Sequence, residues 1–167
     1  FWCVTANRAA TSSLSSDGQI TKKIMDALKG VARTKASVHF YGASCGTLAN
    51  LALDASNHSL MIDLPTVQVL CESIYVYGSE DVNSAACTAL ANLSASKDIR
   101  NDLVSQGGIP ALFSAMKACS NNVDIQNEVL RALNNLCDSS KDGMSAIVGD
   151  LELIITTYFR HNTKYIQ

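Results

Sequence analysis

The sequence predicts an all-α fold built from stacked helical repeats, and three observations support this prediction. Apolar residues recur at helical spacing along the 167 residues, and no long alternating β-pattern surrounds a tight hairpin turn. Only two prolines occur in the chain. The pairs Asn50-Leu51, Asn92-Leu93 and Asn135-Leu136 follow one another at intervals of 42 and 43 residues. Such a period is typical of helical arrays whose neighbouring units share one core.

The repeat is clearest in two stretches, VNSAACTALANLS at 82–94 and IRNDLVSQGGIPALFSAM at 99–116. The segment QGGIPALFSAM aligns with VGDLELIITTY at 148–158, at an offset of 42, and IDLPTVQVLCESI at 62–74 carries the same proline near its start. Together these stretches suggest a unit with a short helix, a glycine-rich corner, a second helix and a longer third helix. This unit resembles the armadillo family of α-solenoids.

The resemblance implies one right-handed α-α superhelix over residues 1–167, with about three full repeats and partial repeats at 1–33 and 139–167. Each full repeat is centred on its third helix. The third helices are expected at 35–53, 82–94 and 125–138, the second helices at 65–77, 110–119 and 151–161, and the first helices at 57–63, 98–106 and 143–148.

Local residues agree with this division. Pro65 and Pro110 fall in the first turn of second helices, where the missing N–H leaves no helical hydrogen bond broken. Gly107 and Gly108 permit the sharp turn before one of these helices. The inter-repeat core is expected to contain Leu48, Leu51, Leu90, Leu93, Leu133 and Leu136.

The composition argues against a membrane-spanning protein and against a disulfide-linked one. The formal charge is −2, 47% of the residues are apolar, and no apolar run is long enough to span a membrane. Six cysteines are scattered without a C-x-x-C pair, which favours buried, reduced thiols over a disulfide framework. The chain is therefore expected to be intracellular, either cytoplasmic or nuclear.

Signals for catalysis or cofactor binding are missing from the sequence. His39, His58 and His161 stand alone, without the ligand spacing of a zinc site. Neither a phosphate-binding G-x-x-x-x-G-K nor a dinucleotide-binding G-x-G-x-x-G occurs. No enzymatic activity, cofactor or metal is expected.

The candidate binding residues lie on the third helices. In armadillo proteins that hold extended peptides, an Asn at the position of Asn50, Asn92 and Asn135 can hydrogen-bond the bound backbone, because an amide both donates and accepts. The same side chains could instead satisfy backbone groups inside the solenoid. Both interpretations stay open at this point.

Residues one and two turns earlier on the same face would set the sequence preference of such a groove. These positions hold Gly46, Thr88 and Arg131, and then Gly42, Ser84 and Asn127. The nuclear import adaptors of the family have Trp there, so this chain departs from their pattern. Arg131 could anchor an acidic group, or it could be a solvated charge paired with Glu128 or Asp138.

The sequence predicts a protein-binding scaffold or adaptor whose partner is a protein or extended peptide lying along the groove. Two alternatives remain. The segment could be a structural subunit that docks through its ends or convex face, either on other repeats of its own chain or on subunits of a larger complex. It could also regulate a small GTPase, as some armadillo proteins do. The near-neutral charge argues against nucleic acid as the main partner.

Overall fold

The structure is a computed structural model that describes residues 19–31, 37–137, 145, 147 and 148. Within these residues the chain is helical and contains no strand. The helices, in chain order, are α1 (Gln19–Gly30), α2 (Val38–Leu51), α3 (His58–Asp63), α4 (Thr66–Tyr77), α5 (Glu80–Ser94), α6 (Lys97–Ser105), α7 (Gly108–Ala118) and α8 (Val123–Cys137), with a short 3₁₀ turn at Ala55–Asn57. The predicted all-α fold class is confirmed.

The predicted third helices correspond to α2, α5 and α8, with small shifts at their ends. Helix α5 begins at Glu80, two residues before the prediction, because the Ser79 hydroxyl accepts a hydrogen bond from the Val82 N–H at 3.5 Å. Asn122 stands in the same relation to α8, since its side chain accepts from the Ile125 N–H at 3.2 Å.

First and second helices also occur where the repeat places them. Helices α3 and α6 are the first helices, and α4 and α7 are second helices. Helix α1 matches the second helix of the N-terminal partial repeat. The predicted second helix at 151–161 lies outside the described residues, and so does most of the first helix at 143–148.

Gly107 and Gly108, at the start of α7, are glycine for two different reasons. Gly107 has a φ of 83°, in the left-handed region that favours glycine. Gly108 has no room for a side chain, because a Cβ there would lie 2.7 Å from the backbone oxygen of Leu103. The corner therefore requires glycine at both positions, once for backbone conformation and once for close packing.

The core runs along the seam between the repeats. Helix α5 packs between α2 and α8, and it also contacts the second helices α4 and α7. The six leucines expected in the core are all buried. Their burial on neighbouring third helices means that each repeat shares its apolar face with the next one.

Side chains at equivalent repeat positions cap the ends of the third helices. His58 Nε2 lies 2.8 Å from the carbonyl oxygen of Ala52, after α2. Arg100, 42 residues later, donates from Nε to the carbonyl oxygen of Ser94 at 2.8 Å, at the end of α5. These donors reach carbonyl groups that have no partner within their own helix.

A second set of equivalent positions ties third helices to second helices. The Tyr41 hydroxyl donates to the Leu28 carbonyl oxygen at 3.1 Å, near the end of α1. Gln126 Nε2 donates to two carbonyl groups at the end of α7, both at 2.9 Å. Asn83 does not reach back to α4, which already ends on Gly78 with a φ of 57°. Its Nδ2 donates instead to the sulfur of Cys119, just after α7, at 3.2 Å.

Candidate functional site

Asn92, the central member of the predicted asparagine row, makes a hydrogen bond across the repeat boundary. Its Nδ2 donates to the carbonyl oxygen of Ala49 at 2.9 Å, and the residue is only 7% exposed. The Leu53 N–H, which would reach Ala49 in a continuing helix, bonds to the Asn50 carbonyl oxygen instead at 3.2 Å. Asn92 thus supplies the donor that the end of α2 needs.

Asn135 makes the equivalent connection through an intermediate hydroxyl group. Its Nδ2 donates to Ser94 Oγ at 3.0 Å, and that hydroxyl donates to the Ala91 carbonyl oxygen at 2.8 Å. Ser94 occupies the repeat position of Ala52, which has no hydroxyl group. The Ser94 hydroxyl therefore lies between the Asn135 amide and the backbone carbonyl group, whereas Asn92 reaches its carbonyl group directly. Asn92 and Asn135 therefore both satisfy polar groups of the preceding third helix, as the structural interpretation expects. Their role in partner binding stays a prediction.

Arg131 lies across the boundary between α5 and α8. Its Nη2 donates to Asn92 Oδ1 at 2.8 Å, and both Nε and Nη2 contact Glu128 Oε2. The side chains of Arg131 and Glu128 are 42% and 30% exposed. An ion pair that water reaches in this way contributes little to stability, but it holds the guanidinium over Asn92.

The boundary between α2 and α5 is open, unlike the one beside Arg131. A groove of about 430 Å³ follows the two helices, and its walls carry small side chains. The residues on its walls are His39, Gly42, Ala43, Gly46, Ala49 and Asn50 from α2, and Asp81, Ser84, Ala85 and Thr88 from α5. The groove exists because glycine and alanine follow α2 at helical spacing.

Three of the predicted site residues, Asn50, Ser84 and Thr88, meet in this groove. Asn50 is half-buried, and the Thr88 hydroxyl donates to the Ser84 carbonyl oxygen at 2.8 Å. Arg131 and Asn127 lie elsewhere, exposed on α8.

Two charged or titratable wall residues were missed by the sequence analysis, His39 and Asp81. Their positions were detectable. His39 lies three residues before Gly42, and Asp81 three residues before Ser84, so both continue the same helical face.

Buried thiols form part of the core and not of a reactive site. Cys45 and Cys71 are buried, and the loss of solvation raises the pKa of Cys45 to about 11 and that of Cys71 to about 12. Burial is also the main cause of the raised pKa of Cys87. Thiols with such pKa values are protonated at neutral pH and are poor nucleophiles.

The described residues were also compared with the requirements of a metal site and of a membrane-spanning helix, and they meet neither in a single cluster or helix. No group of three or more His, Cys, Asp or Glu side chains there could hold a metal ion. No single described helix is long and apolar enough to cross a membrane, although the bent pair Ala55–Asp63 and Thr66–Tyr77 meets the criteria of length and composition.

Comparison with known proteins identifies the repeat. Residues 96–138 match the family model described as the armadillo/beta-catenin-like repeat, and this range covers α6, α7 and α8. No curated protein and no solved structure shows a significant match to the chain. Repeats of this family generally serve as non-enzymatic protein-binding scaffolds. Residues 96–138 are therefore similar to an armadillo repeat, and the described part of the chain has an all-α, armadillo-like repeat fold.

Proposed function

We propose that the chain is a scaffold or adaptor that holds an extended segment of a partner protein in the groove between α2 and α5. One observation carries this proposal. The groove of about 430 Å³ is lined by Asn50, Ser84 and Thr88, three of the residues that the resemblance to armadillo repeats predicts for partner binding. Glycine and alanine on the α2 wall leave room for the backbone of another chain to approach closely.

The chemistry of the groove suits a main-chain ligand with a neutral or basic side chain at one end. Hydroxyl groups of Ser84 and Thr88 offer acceptors for N–H groups, and an Asn amide offers both a donor and an acceptor. Asp81 and His39 are exposed near the first turns of α5 and α2. The carboxylate at Asp81 favours a positive charge on the segment beside it.

Filling the groove tests the proposal. We would select extended peptides from a displayed library on the full chain and compare their affinity for two variants. Gly42→Ala is the matched control, since a Cβ there meets Val82 Cγ2 at 3.8 Å and Asp81 Cβ at 4.0 Å, which are ordinary contacts. Gly42→Leu adds three more carbon atoms at the same position. Helix content by circular dichroism would verify that both variants fold.

Peptides that use the groove should bind the wild type and Gly42→Ala alike and should lose about tenfold or more in affinity for Gly42→Leu, since overpacking excludes the ligand. A selection in which every recovered peptide binds Gly42→Leu as tightly as the wild type would contradict groove binding.

One observation favours the alternative of a structural subunit. Two of the three predicted binding asparagines donate within the chain, Asn92 to Ala49 and Asn135 to Ser94. On α4, Tyr75 and Val76 remain 54% and 45% exposed and could contact another subunit. Crosslinks from a recovered complex that map to α4, with the groove left uncrosslinked, would support this alternative.

We also propose that the protein functions in a reducing compartment, the cytoplasm or the nucleus. The proposal is supported by the five free cysteines of the described residues, four of which are buried in the core.

A further inference from the structure

A second pocket lies where α2 and α5 end, and it is separate from the groove between these helices. It has a volume of about 320 Å³. The turns that follow the two helices form part of its wall, together with His58, Asn92, Ser96 and Arg131. Asn92 and Arg131 are directly hydrogen-bonded, so they form one continuous polar surface there.

Arg131 brings unused donors to this pocket. A guanidinium group carries five N–H donors. Nε and Nη2 contact Glu128 and Asn92, whereas Nη1 makes no hydrogen bond to any residue that the structure describes. The pairing with Glu128 thus leaves the two N–H groups of Nη1 for an acceptor outside the chain.

His58 lines the same pocket and has one ring nitrogen without a partner among the described residues. The residue is 6% exposed, and its Nε2 lies 2.8 Å from the Ala52 carbonyl oxygen. A carbonyl oxygen can only accept, so Nε2 must carry the proton of this hydrogen bond. Nδ1 then has no partner among the described residues. A buried polar atom without a partner is unfavourable, which points to a polar group that completes the site.

The N-terminus of α6 also lies on this pocket. Ser96 is the N-cap residue, and its side chain makes no capping hydrogen bond to the nine-residue helix that follows. The first N–H groups of a helix and its dipole together favour an anion. Lys97, exposed at the first position of α6, adds a positive charge nearby.

Negative charges are close but do not belong to the lining. Asp98 is exposed in the first turn of α6, and Glu128 lies on the Nε side of Arg131. Asp54, in the turn after α2, accepts hydrogen bonds from Ser56. All three side chains lie outside the set of described residues that line the pocket.

The geometry points to a binding site for an oxyanion presented by a partner protein, either a side-chain carboxylate or a phosphorylated side chain. Nη1 of Arg131 and the first N–H groups of α6 donate to the oxyanion, and the Ser96 hydroxyl can add a further donor. His58 lines the pocket beside these donors. The site is separate from the α2–α5 groove and does not rest on the function proposed for that groove.

Inorganic phosphate is the first probe. We would titrate the ¹⁵N-labelled full chain with phosphate at constant ionic strength and follow the amide signals of Ser96 and Lys97. Arg131→Gln should weaken binding about tenfold, because charge-assisted hydrogen bonds are lost. Glu128→Gln should tighten it several-fold, because the competing carboxylate is removed. Lys22→Gln, on exposed α1 surface, is the charge-matched control and should bind like the wild type.

Three peptides that differ at one position distinguish the sources of the oxyanion. They carry Ser, phosphoserine or Glu, and only the latter two should displace phosphate and shift the same amide signals. A preference between these two would identify the carboxylate or the phosphate as the natural group. Gly42→Leu, which fills the groove, should leave all these affinities unchanged, so a failure here is distinguishable from a failure of the groove proposal.

Several results would overturn the inference. One such result is a phosphate affinity of Arg131→Gln within twofold of the wild-type affinity. Another is a loss of phosphate affinity in Lys22→Gln as large as the loss in Arg131→Gln. In either case the binding reflects diffuse charge and not this pocket. Displacement of phosphate by the Ser peptide, or by neither charged peptide, would exclude an oxyanion-bearing side chain as the ligand.

Discussion

Replacing Asn92 by alanine tests whether this residue is a structural connection between repeats. The wild-type side chain is 7% exposed and donates to the Ala49 carbonyl oxygen at 2.9 Å. Alanine removes this donor and leaves a buried carbonyl group at the end of α2 without it. We expect the folded state to lose stability and the helix content at equilibrium to change little.

The magnitude follows from these two effects. A neutral hydrogen bond contributes about 1 kcal/mol, and a buried acceptor left unpaired costs about 1–3 kcal/mol. Part of the second cost is relieved when water reaches the carbonyl, so we expect Asn92→Ala to lower the free energy of unfolding by about 2 kcal/mol. Asn135→Ala should lose only about 0.5 kcal/mol, because its partner Ser94 keeps its own bond to Ala91.

Equilibrium unfolding in urea, followed by circular dichroism, measures this difference. Asn92→Ala should shift the unfolding midpoint by roughly 1 M at unchanged slope. Asn127→Ala is the matched control, because Asn127 is exposed on α8 and its loss should change stability by less than about 0.5 kcal/mol. Equal midpoints for Asn92→Ala and Asn127→Ala would refute the structural role.

Three further predictions concern packing and protonation. Gln126→Leu should lower the free energy of unfolding by about 1–2 kcal/mol in urea titrations, because the Met116 carbonyl group loses the Gln126 donor and the Cys119 carbonyl group keeps only the Asn122 N–H. Gly108→Ala should lower the free energy of unfolding by about 1–3 kcal/mol in the same assay, since its Cβ would lie 2.7 Å from a backbone oxygen. Gly42→Ala should leave the free energy of unfolding unchanged or raise it. The free energy of unfolding should fall as the pH rises from about 9 towards 12. Burial raises the pKa of Cys71 to about 12 in the folded state, whereas the thiol of the unfolded chain has a pKa near 9.0 and releases its proton at lower pH. Unfolding midpoints of Cys71→Ala, measured under reducing conditions, should show a weaker decline over this range.

The sequence was sufficient for the architecture of the described helices. The spacing of Asn50, Asn92 and Asn135 determines the repeat, and it places α2, α5 and α8 to within a few residues. Gly107 and Gly108 predicted the corner correctly because it requires a positive φ at one position and no side chain at the other, and glycine meets both requirements. These features depend on local sequence and on a period that recurs, which is why a single chain could reveal them.

The direction of the asparagine side chains could not be predicted in the same way. The side chain of a residue at the edge of a helix face can point towards a groove or towards the preceding repeat. The spacing of the asparagines along the sequence is the same in both cases. Asn92 turns towards Ala49 because the end of α2 has a carbonyl group without its usual donor. That need becomes visible only when two repeats are packed together.

Arg131 shows the same limit for charged residues. The spacing to Glu128 suggested an ion pair within the helix, and that pair is present. Its additional bond to Asn92, 39 residues away, depends on how closely α5 and α8 approach each other. The open boundary between α2 and α5 likewise results from the small residues at Gly42 and Gly46 acting together with the distance between the helices.

The bond from Asn92 to Ala49 also affects how the chain folds during synthesis. The end of α2 receives its last donor from a residue made 43 positions later. This bond can therefore form only after α5 has also left the ribosome. A truncated chain that retains α2 should therefore also retain α5, because the Ala49 carbonyl group otherwise loses its side-chain donor.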